Sequence, residues 1–337
     1  MFNGAGGRQR LVTFLTGCGQ SSAVKFLTDS DVAGLVRPRE VVEAVEEAYR
    51  LYSTGRVVMP VRSRVEAREK GGDILMMPCY VPDMNIFSLK LVTVYPGNLA
   101  RGLATINAVV IVLDAETGVA KLVSEARALT GLRTAAATAV SVKYLARKNS
   151  EVVGVVGCGY QAGWQTRVLA DLLKGARFLA YDIDAERMRA FVKQMSGEGF
   201  DVQPADSVQD LVKKSDIVVT VTTSKTPVVY DSWVRDGTHL SAIGGYTPEM
   251  VEIDPRLTAR SKLVVDSREA VREEAGDILQ PIKMGLMSFD HIHAEIGEIV
   301  AGLKTGREND KEITLFKSVG LAVQDAAASK ILLDKAL

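Results

Sequence analysis

Apolar and polar positions fall into two textures along the chain. Over residues 30–55, Val41, Val42, Val45, Ala48 and Leu51 recur every three or four positions, with Glu40, Glu43, Glu46 and Glu47 between them. That period predicts one amphipathic helix, with Pro38 in its first turn and Gly55 at its end. Short apolar or alternating runs follow at 57–65, 73–77, 87–93 and 108–113, divided by Pro60, Gly71-Gly72, Pro82-Asp83 and Pro96-Gly97. They predict an antiparallel or mixed sheet. Residues 125–145 return to a helical period, rich in alanine around Arg133. After Asn149 six β-branched runs, at 152–156, 178–181, 200–202, 217–221, 239–243 and 263–265, alternate with helical patterns such as 162–174 and 185–195. Alternation of this kind predicts a parallel, doubly wound sheet. Beyond Asp290 the pattern is helical, breaks over 311–319 and ends in a helical run over 321–337, expected to pack back on the first domain. Residues 1–23, with Gly4, Gly6, Gly7, Gly17 and Gly19, read as a loose tail. The apolar stretch 11–15 within them is too short for a signal-peptide core.

Composition narrows the function classes. Lysine plus arginine is 41 and aspartate plus glutamate is 41, so the net charge is +0. A general nucleic-acid binder carries a basic excess, and none is expected here as a partner. No apolar run reaches the length of a membrane span, so no membrane association is expected. The 337 residues include 3 cysteines, too few for a disulfide scaffold and suited to a reducing cytoplasm. Cys18 and Cys79 have no paired spacing. His239, His291 and His293 are isolated and read as structural, so no metal site is expected.

The densest local signal is Val152-Val153-Gly154-Val155-Val156-Gly157-Cys158-Gly159-Tyr160-Gln161-Ala162. An apolar strand runs into Gly157-x-Gly159-x-x-Ala162 and a helix follows. Gly157 permits the tight turn, Gly159 lets backbone approach a pyrophosphate, and Ala162 allows close helix–strand packing. The helix N-terminus, at Tyr160 and Gln161, offers N–H groups and a positive dipole end. Asp182 ends the next strand, 25 residues past Gly157. An acid there can accept a hydrogen bond from a ribose 2′-hydroxyl and repels a 2′-phosphate, which favours NAD(H) over NADP(H). The fold class expected is therefore α/β, a Rossmann-type doubly wound parallel sheet beside a smaller α+β domain. Cys158 sits at a helix N-terminus, where a thiol can be activated, but reads better as a small residue between two glycines.

These residues belong to a longer set. The chain resembles the ornithine cyclodeaminase/mu-crystallin family through Met59-Pro60-Val61-Arg62, Met77-Pro78, Lys90-Leu91-Val92-Thr93, Tyr95-Pro96-Gly97-Asn98 and Leu132-Arg133-Thr134-Ala135-Ala136. The match continues through the glycine loop, Gly237-Thr238-His239, Gly244-Gly245, Glu295-Ile296-Gly297-Glu298-Ile299 and Phe316-Lys317-Ser318-Val319-Gly320. The resemblance implies a homodimer. It implies a substrate-binding and dimerisation domain at 24–130, closed by 319–337, and a nicotinamide-binding domain at 131–318. It also implies one of three activities on amino or imino acids: ornithine cyclodeamination, alanine dehydrogenation, or reduction of cyclic ketimines such as Δ1-pyrroline-2-carboxylate.

By motif match, Arg62, Lys90 and Arg133 fall on the family's carboxylate-binding positions. Fixed cations suit an α-imino or α-amino carboxylate, and arginine can hold it bidentately. Lys90 lies among Phe87, Leu89, Leu91 and Val92, where desolvation would lower its pKa and let it act as a proton donor. Arg133 is read as opening a helix, where a cation disfavoured by the dipole points to a bound anion. Thr105, Thr134, Thr222 and Ser318 match cofactor-contact positions, with Arg133 shared between the two sets. Asp325 reads as a solvated or capping group.

Two positions depart from the cyclodeaminase pattern. Leu75 stands where cyclodeaminases carry a glutamate, and Tyr246 where they carry an aspartate. Leucine cannot deprotonate a δ-amine, and tyrosine, with a pKa near 10, is a poor base at neutral pH. The expected function is an NAD(P)H-dependent ketimine reductase or alanine dehydrogenase, with Leu75 and Tyr246 shaping the substrate pocket. Cyclodeamination, or a low-turnover ligand-binding role, stands as the alternative.

Overall fold

The computed structural model describes residues 11–13 and 23–336. The chain forms two compact units. One gathers the chain up to Ala44, Gly55–Arg133 and the segment from Ala322; the other gathers Val45–Thr54 and Thr134–Leu321. Two of the four unit boundaries, after Arg133 and after Leu321, fall three residues later than those the resemblance implies, and residues 45–54 group with the second unit.

The first unit carries β1 (Leu11–Thr13), β2 (Ala23–Leu27), α1 (Asp29–Leu35) and the start of α2 (Pro38–Ser53). Then come β3 (Ser63–Ala67), β4 (Gly72–Val81), β5 (Ile86–Val94), β6 (Ile106–Asp114), β7 (Ala120–Glu125) and the first turns of α3 (Arg127–Leu145). The single helix expected over 30–55 is two. Thr28 and Asp31 form a capping box at the start of α1, Val36 turns extended, and Pro38 then opens α2. Of the expected tail, residues 1–10 and 14–22 lie outside the described residues. Leu11–Thr13 is instead a strand antiparallel to β2.

The sheet order is β1-β2-β7-β6-β5-β4-β3, antiparallel except for the β2–β7 pair. Its register places Met77, Lys90 and Val110 side by side on one face. Met77, Cys79, Val81, Ile86, Val92, Val110, Val112 and Leu122 are buried on that face. The alternate positions, including Met76, Phe87, Leu89, Leu91, Val109, Ile111 and Val123, remain half-buried.

The second unit contains β8 (Val152–Val156), α4 (Tyr160–Leu172), β9 (Arg177–Tyr181), α5 (Ala185–Gly197), β10 (Val202–Pro204), α6 (Val208–Lys214), β11 (Ile217–Thr220) and β12 (His239–Ala242). It continues with α7 (Pro255–Arg260), β13 (Lys262–Val265), α8 (Arg268–Glu274), α9 (Gly276–Lys283), β14 (Ile292–Glu295), α10 (Ile296–Val300) and β15 (Thr314–Lys317). Its sheet is parallel throughout, in the order β10-β9-β8-β11-β12-β15-β13-β14. The chain builds outward from β8 through β9 and β10, then crosses to β11 and builds the other way. This is the doubly wound order, and its reversal point lies between β8 and β11. β15 occupies the stretch read as a helix break; all four of its residues are buried, Lys317 included, so no polar alternation marks it. The chain then returns to the first unit as α11 (Ala322–Ala336), which lies across β4, β5 and β6.

Candidate functional site

The second unit presents the glycine loop at the reversal point. Gly157 has φ +96, a conformation that side chains rarely adopt, and its N–H donates to Tyr181 O (2.8 Å). A Cβ there would also crowd Val221 O at 3.1 Å. Gly159 is different. Its φ is −84, and a Cβ built on it would meet no atom within 4 Å. Neither backbone strain nor internal packing requires glycine there, and the bare backbone leaves room for an outside group to approach. Gly159 is also the N-cap of α4 and supplies no capping side chain. Together with the dipole of the 13-residue helix, this fits an anion such as a pyrophosphate.

Asp182 lies at the end of β9. Its Oδ2 accepts from Cys158 N (2.8 Å) and its Oδ1 from Asp184 N (2.9 Å). A carboxylate has about four acceptor positions, so capacity remains for ribose hydroxyls. Burial pushes the Cys158 thiol up to about 12, with the Asp182 charge acting in the same direction. This thiol is not an activated one. Tyr160, half exposed, meets Trp164 edge to face, and Gln161 follows it in α4.

The first unit holds the cations. Lys90 is 1% exposed in the centre of β5, and its Nζ lies 2.7 Å from Asp325 Oδ2. Arg133 Nε donates to Asp325 Oδ1 (3.1 Å), and its NH1 group donates to Gln324 Oε1 (2.5 Å). Burial is the main cause that brings the Lys90 pKa down to about 8; Arg133 and Arg62 push the same way, and Asp325 opposes them. Two buried cations therefore face a single carboxylate, with the half-buried Arg62 adding to the positive field at Lys90, an excess that suits an anion. The neighbouring arginines serve otherwise: Arg64 pairs with Asp73 and Arg68 with Glu66 at the surface.

Two expectations are corrected here. Asp325 is fully buried and is the counter-charge of Lys90 and Arg133, not a solvated or capping group. Arg133 lies well inside α3, which starts at Arg127, so the dipole argument for a bound anion does not apply; Asp325 and Gln324 hold it. Sequence reasoning missed Asp325 although a signal existed. Ala322, Val323, Ala326, Ala327 and Ala328 surround it with small apolar residues, a setting in which a charge in the first half of the helix faces the core.

The remaining predicted residues spread over both units. Leu75 lies on the Lys90 face of the first unit's sheet, paired with Val92. Thr105 precedes β6, and its carbonyl accepts from Tyr95 N (2.7 Å). Thr134, in α3, and Tyr246, after β12, belong to the second unit and are half-buried. Thr222, after β11, donates to Glu252 Oε1 from both its N–H (2.7 Å) and its hydroxyl (2.8 Å). The Ser318 hydroxyl is committed to Asp266 Oδ2 (2.7 Å). His239 is fully buried, with Thr314, Ser141 and Ser241 hydroxyls around its ring, and burial takes its pKa to about 3. It is a neutral structural histidine.

A doubly wound parallel sheet with a glycine loop and an acid on its second strand defines the dinucleotide-binding α/β class of proteins. Within that class the chain belongs to the ornithine cyclodeaminase/mu-crystallin family, whose model matches residues 23–337. Alanine dehydrogenase of Archaeoglobus fulgidus is 40% identical over 314 residues, which is 93% of this chain and 95% of that protein. The Δ1-pyrroline-2-carboxylate reductase of Thermococcus litoralis, solved in complex with NADH and L-proline, superposes with a TM-score of 0.89 at 40% identity, covering 92% of this chain and 97% of that one. An archaeal alanine dehydrogenase dimer with bound NAD gives a TM-score of 0.87 at 38% identity, covering 93% and 96%.

Proposed function

We propose that this protein is a nicotinamide-dinucleotide-dependent oxidoreductase that reduces a small α-imino acid, or runs the reverse oxidation of the α-amino acid. The observation that carries the reading is the buried Lys90–Asp325–Arg133 cluster. It offers excess positive charge for one carboxylate and a lysine whose proton is released near pH 8. Arg133 and Arg62 bind and orient the substrate carboxylate. Lys90 has three N–H donors, only one of which is needed by Asp325, and protonates the imine nitrogen in reduction or accepts the proton in oxidation. The dinucleotide, when bound, supplies or takes up the hydride. Residues of the glycine loop, with Asp182, Thr222, Thr105, Thr134 and Ser318, are assigned to holding it.

Asp182 supports NAD(H) over NADP(H), because a second anion beside its carboxylate would be repelled. The row of half-buried apolar residues on the outer face of the first unit's sheet supports a homodimer built on that face. Cys79 and Cys158 are buried thiols, and among the described residues no helix is long and apolar enough to cross a membrane. Both fit a cytoplasmic setting.

The test follows oxidation of NADH and NADPH with pyruvate plus ammonia, Δ1-pyrroline-2-carboxylate and Δ1-piperideine-2-carboxylate, beside proline formation from ornithine. Turnover of an imine with NADH is the expected result. Leu75 and Tyr246 supply no acid for ornithine cyclisation, so proline formation at enzyme-like rates would overturn the reading. Tight NADH binding with no turnover of any substrate would mark a ligand-binding protein instead.

A further inference from the structure

Glu252 is a fully buried carboxylate that no step above uses. It lies between β12 and α7 and accepts four hydrogen bonds. Oε1 takes Thr222 N (2.7 Å) and Thr222 Oγ1 (2.8 Å); Oε2 takes Gly244 N (2.7 Å) and Gly245 N (3.1 Å). Thr222 follows β11 and the two glycines follow β12, so one side chain ties together the carboxyl ends of two adjacent parallel strands. Glu252 is itself fixed. Its N–H and that of Ile253 donate to Asp277 Oδ1 at 2.7 and 2.9 Å. Asp277 Oδ2 accepts from Lys317 Nζ (2.8 Å), which also donates to Gly245 O (2.8 Å). Lys317 and Asp277 are as buried as Glu252.

Two carboxylates and one ammonium out of water are a costly way to hold a loop, and uncharged packing would do it more cheaply. What the arrangement gives in return is a fixed set of backbone positions at a crevice, a form of preorganisation. The place matters. In doubly wound sheets the dinucleotide lies across the carboxyl ends of the strands, one mononucleotide over each half. The β8–β9–β10 half carries the glycine loop and Asp182. Glu252 serves the β11–β12–β15 half.

We propose that Glu252 is a positioning residue for the nicotinamide mononucleotide half of the cofactor, holding Thr222 and Gly244–Gly245 in the geometry that receives it. The inference rests on the dinucleotide reading above and adds a residue that acts through others rather than on the ligand.

Glu252→Gln keeps the shape and leaves one acceptor oxygen in place of two. The Thr222 hydroxyl can reverse and accept, whereas Gly244 and Gly245 present only N–H groups, so the new NH2 settles towards Thr222 and leaves its N–H unpaired. Binding of NADH and of ADP, which carries only the adenosine side and the phosphates, is measured by titration. NADH affinity is expected to fall about tenfold, as for one buried donor left unpaired, and ADP affinity to change by less than about twofold. Thr222→Val guards against a misfolded Gln variant. It removes one of the four bonds and is expected to weaken NADH by about threefold with ADP unchanged. Amide hydrogen exchange at 222, 244 and 245 in the ligand-free Gln variant is expected to quicken. Equal weakening of NADH and ADP, or unchanged NADH binding in both variants, overturns the inference while the dinucleotide reading stands. Wild-type protein that binds neither nucleotide overturns both.

Discussion

Replacing Lys90 by methionine is expected to make the ligand-free protein more stable and inactive. The lysine pKa is brought from 10.5 in the unfolded chain to about 8 in the folded protein. Each tenfold loss of proton affinity is worth about 1.36 kcal/mol, so keeping the ammonium charged inside the fold costs about 3 kcal/mol at neutral pH. That figure already contains the attraction of Asp325, since its charge is one of the influences on Lys90. Methionine is of similar length, packs among Met77 and Val110, and carries no charge to desolvate. Imperfect packing, and an Asp325 Oδ2 that loses the ammonium beside it, take back much of the gain, leaving about 1 kcal/mol or a rise of a few °C in the thermal transition. The pH dependence is the sharper signature. The folded pKa lies below the unfolded one, so the cost is fully present below pH 8 and is relieved as pH rises from about 8 to 10.5. The advantage of Lys90→Met over the wild type should therefore be constant at pH 6–7 and vanish near pH 10.5. Calorimetry at pH 6.5, 8.5 and 10 reads both. A destabilised variant at pH 6.5, or a gain that does not shrink with pH, would refute the account of Lys90 as a charged group held against its solvation.

Asp325→Asn removes the anion that steadies Lys90 and Arg133, so the Lys90 pKa falls further. The pH above which imine reduction declines should then move down by about 1–2 pH units, and an unchanged kcat/KM–pH profile removes Asp325 from the site. Asp182→Ser removes the charge that repels a 2′-phosphate and should raise the NADPH-to-NADH ratio of kcat/KM by about tenfold or more; a ratio that stays put refutes its assigned role. Gly159→Ala should cost the ligand-free fold no more than about 1 kcal/mol, the preference of an N-cap for glycine over alanine, because its φ is −84 and the new Cβ meets nothing within 4 Å. NADH binding should nevertheless weaken by about tenfold or more, and equal NADH affinity would show that no ligand approaches that backbone. Leu89→Glu places a charge on the outer face of the first unit's sheet. Light scattering should show a smaller particle than the wild type, and an unchanged mass moves the interface elsewhere.

The parts of this molecule that were legible in the sequence are those whose cause is local. The glycine loop declares itself because turn, close approach and helix start all fall within six residues, Gly157 to Ala162, and Asp182 follows at the end of the next strand. Helix α2 was legible from its spacing, but its separation from α1 turned on one pair, Val36 extended and Pro38 at the first helical position. What stayed hidden was buried charge. β15 looks like a break because only Leu315 and Phe316 of its four residues are apolar, yet Lys317 is buried against Asp277, 40 residues earlier. Asp325 meets Arg133 across 192 residues. Glu252 stands in a segment without periodicity, and only the fold returns Thr222 to it across 30 residues. No pattern along the chain records such pairs, since each half taken alone is a polar residue in the wrong place. That misplacement is itself usable information. In the first unit two buried cations, Lys90 and Arg133, face the one carboxylate of Asp325. A fold that kept this excess only for stability would do better with leucine or methionine. Its retention is the physical reason to expect that an anion completes the cluster, and a small carboxylate suits both the Arg133 guanidinium and a lysine poised near pH 8.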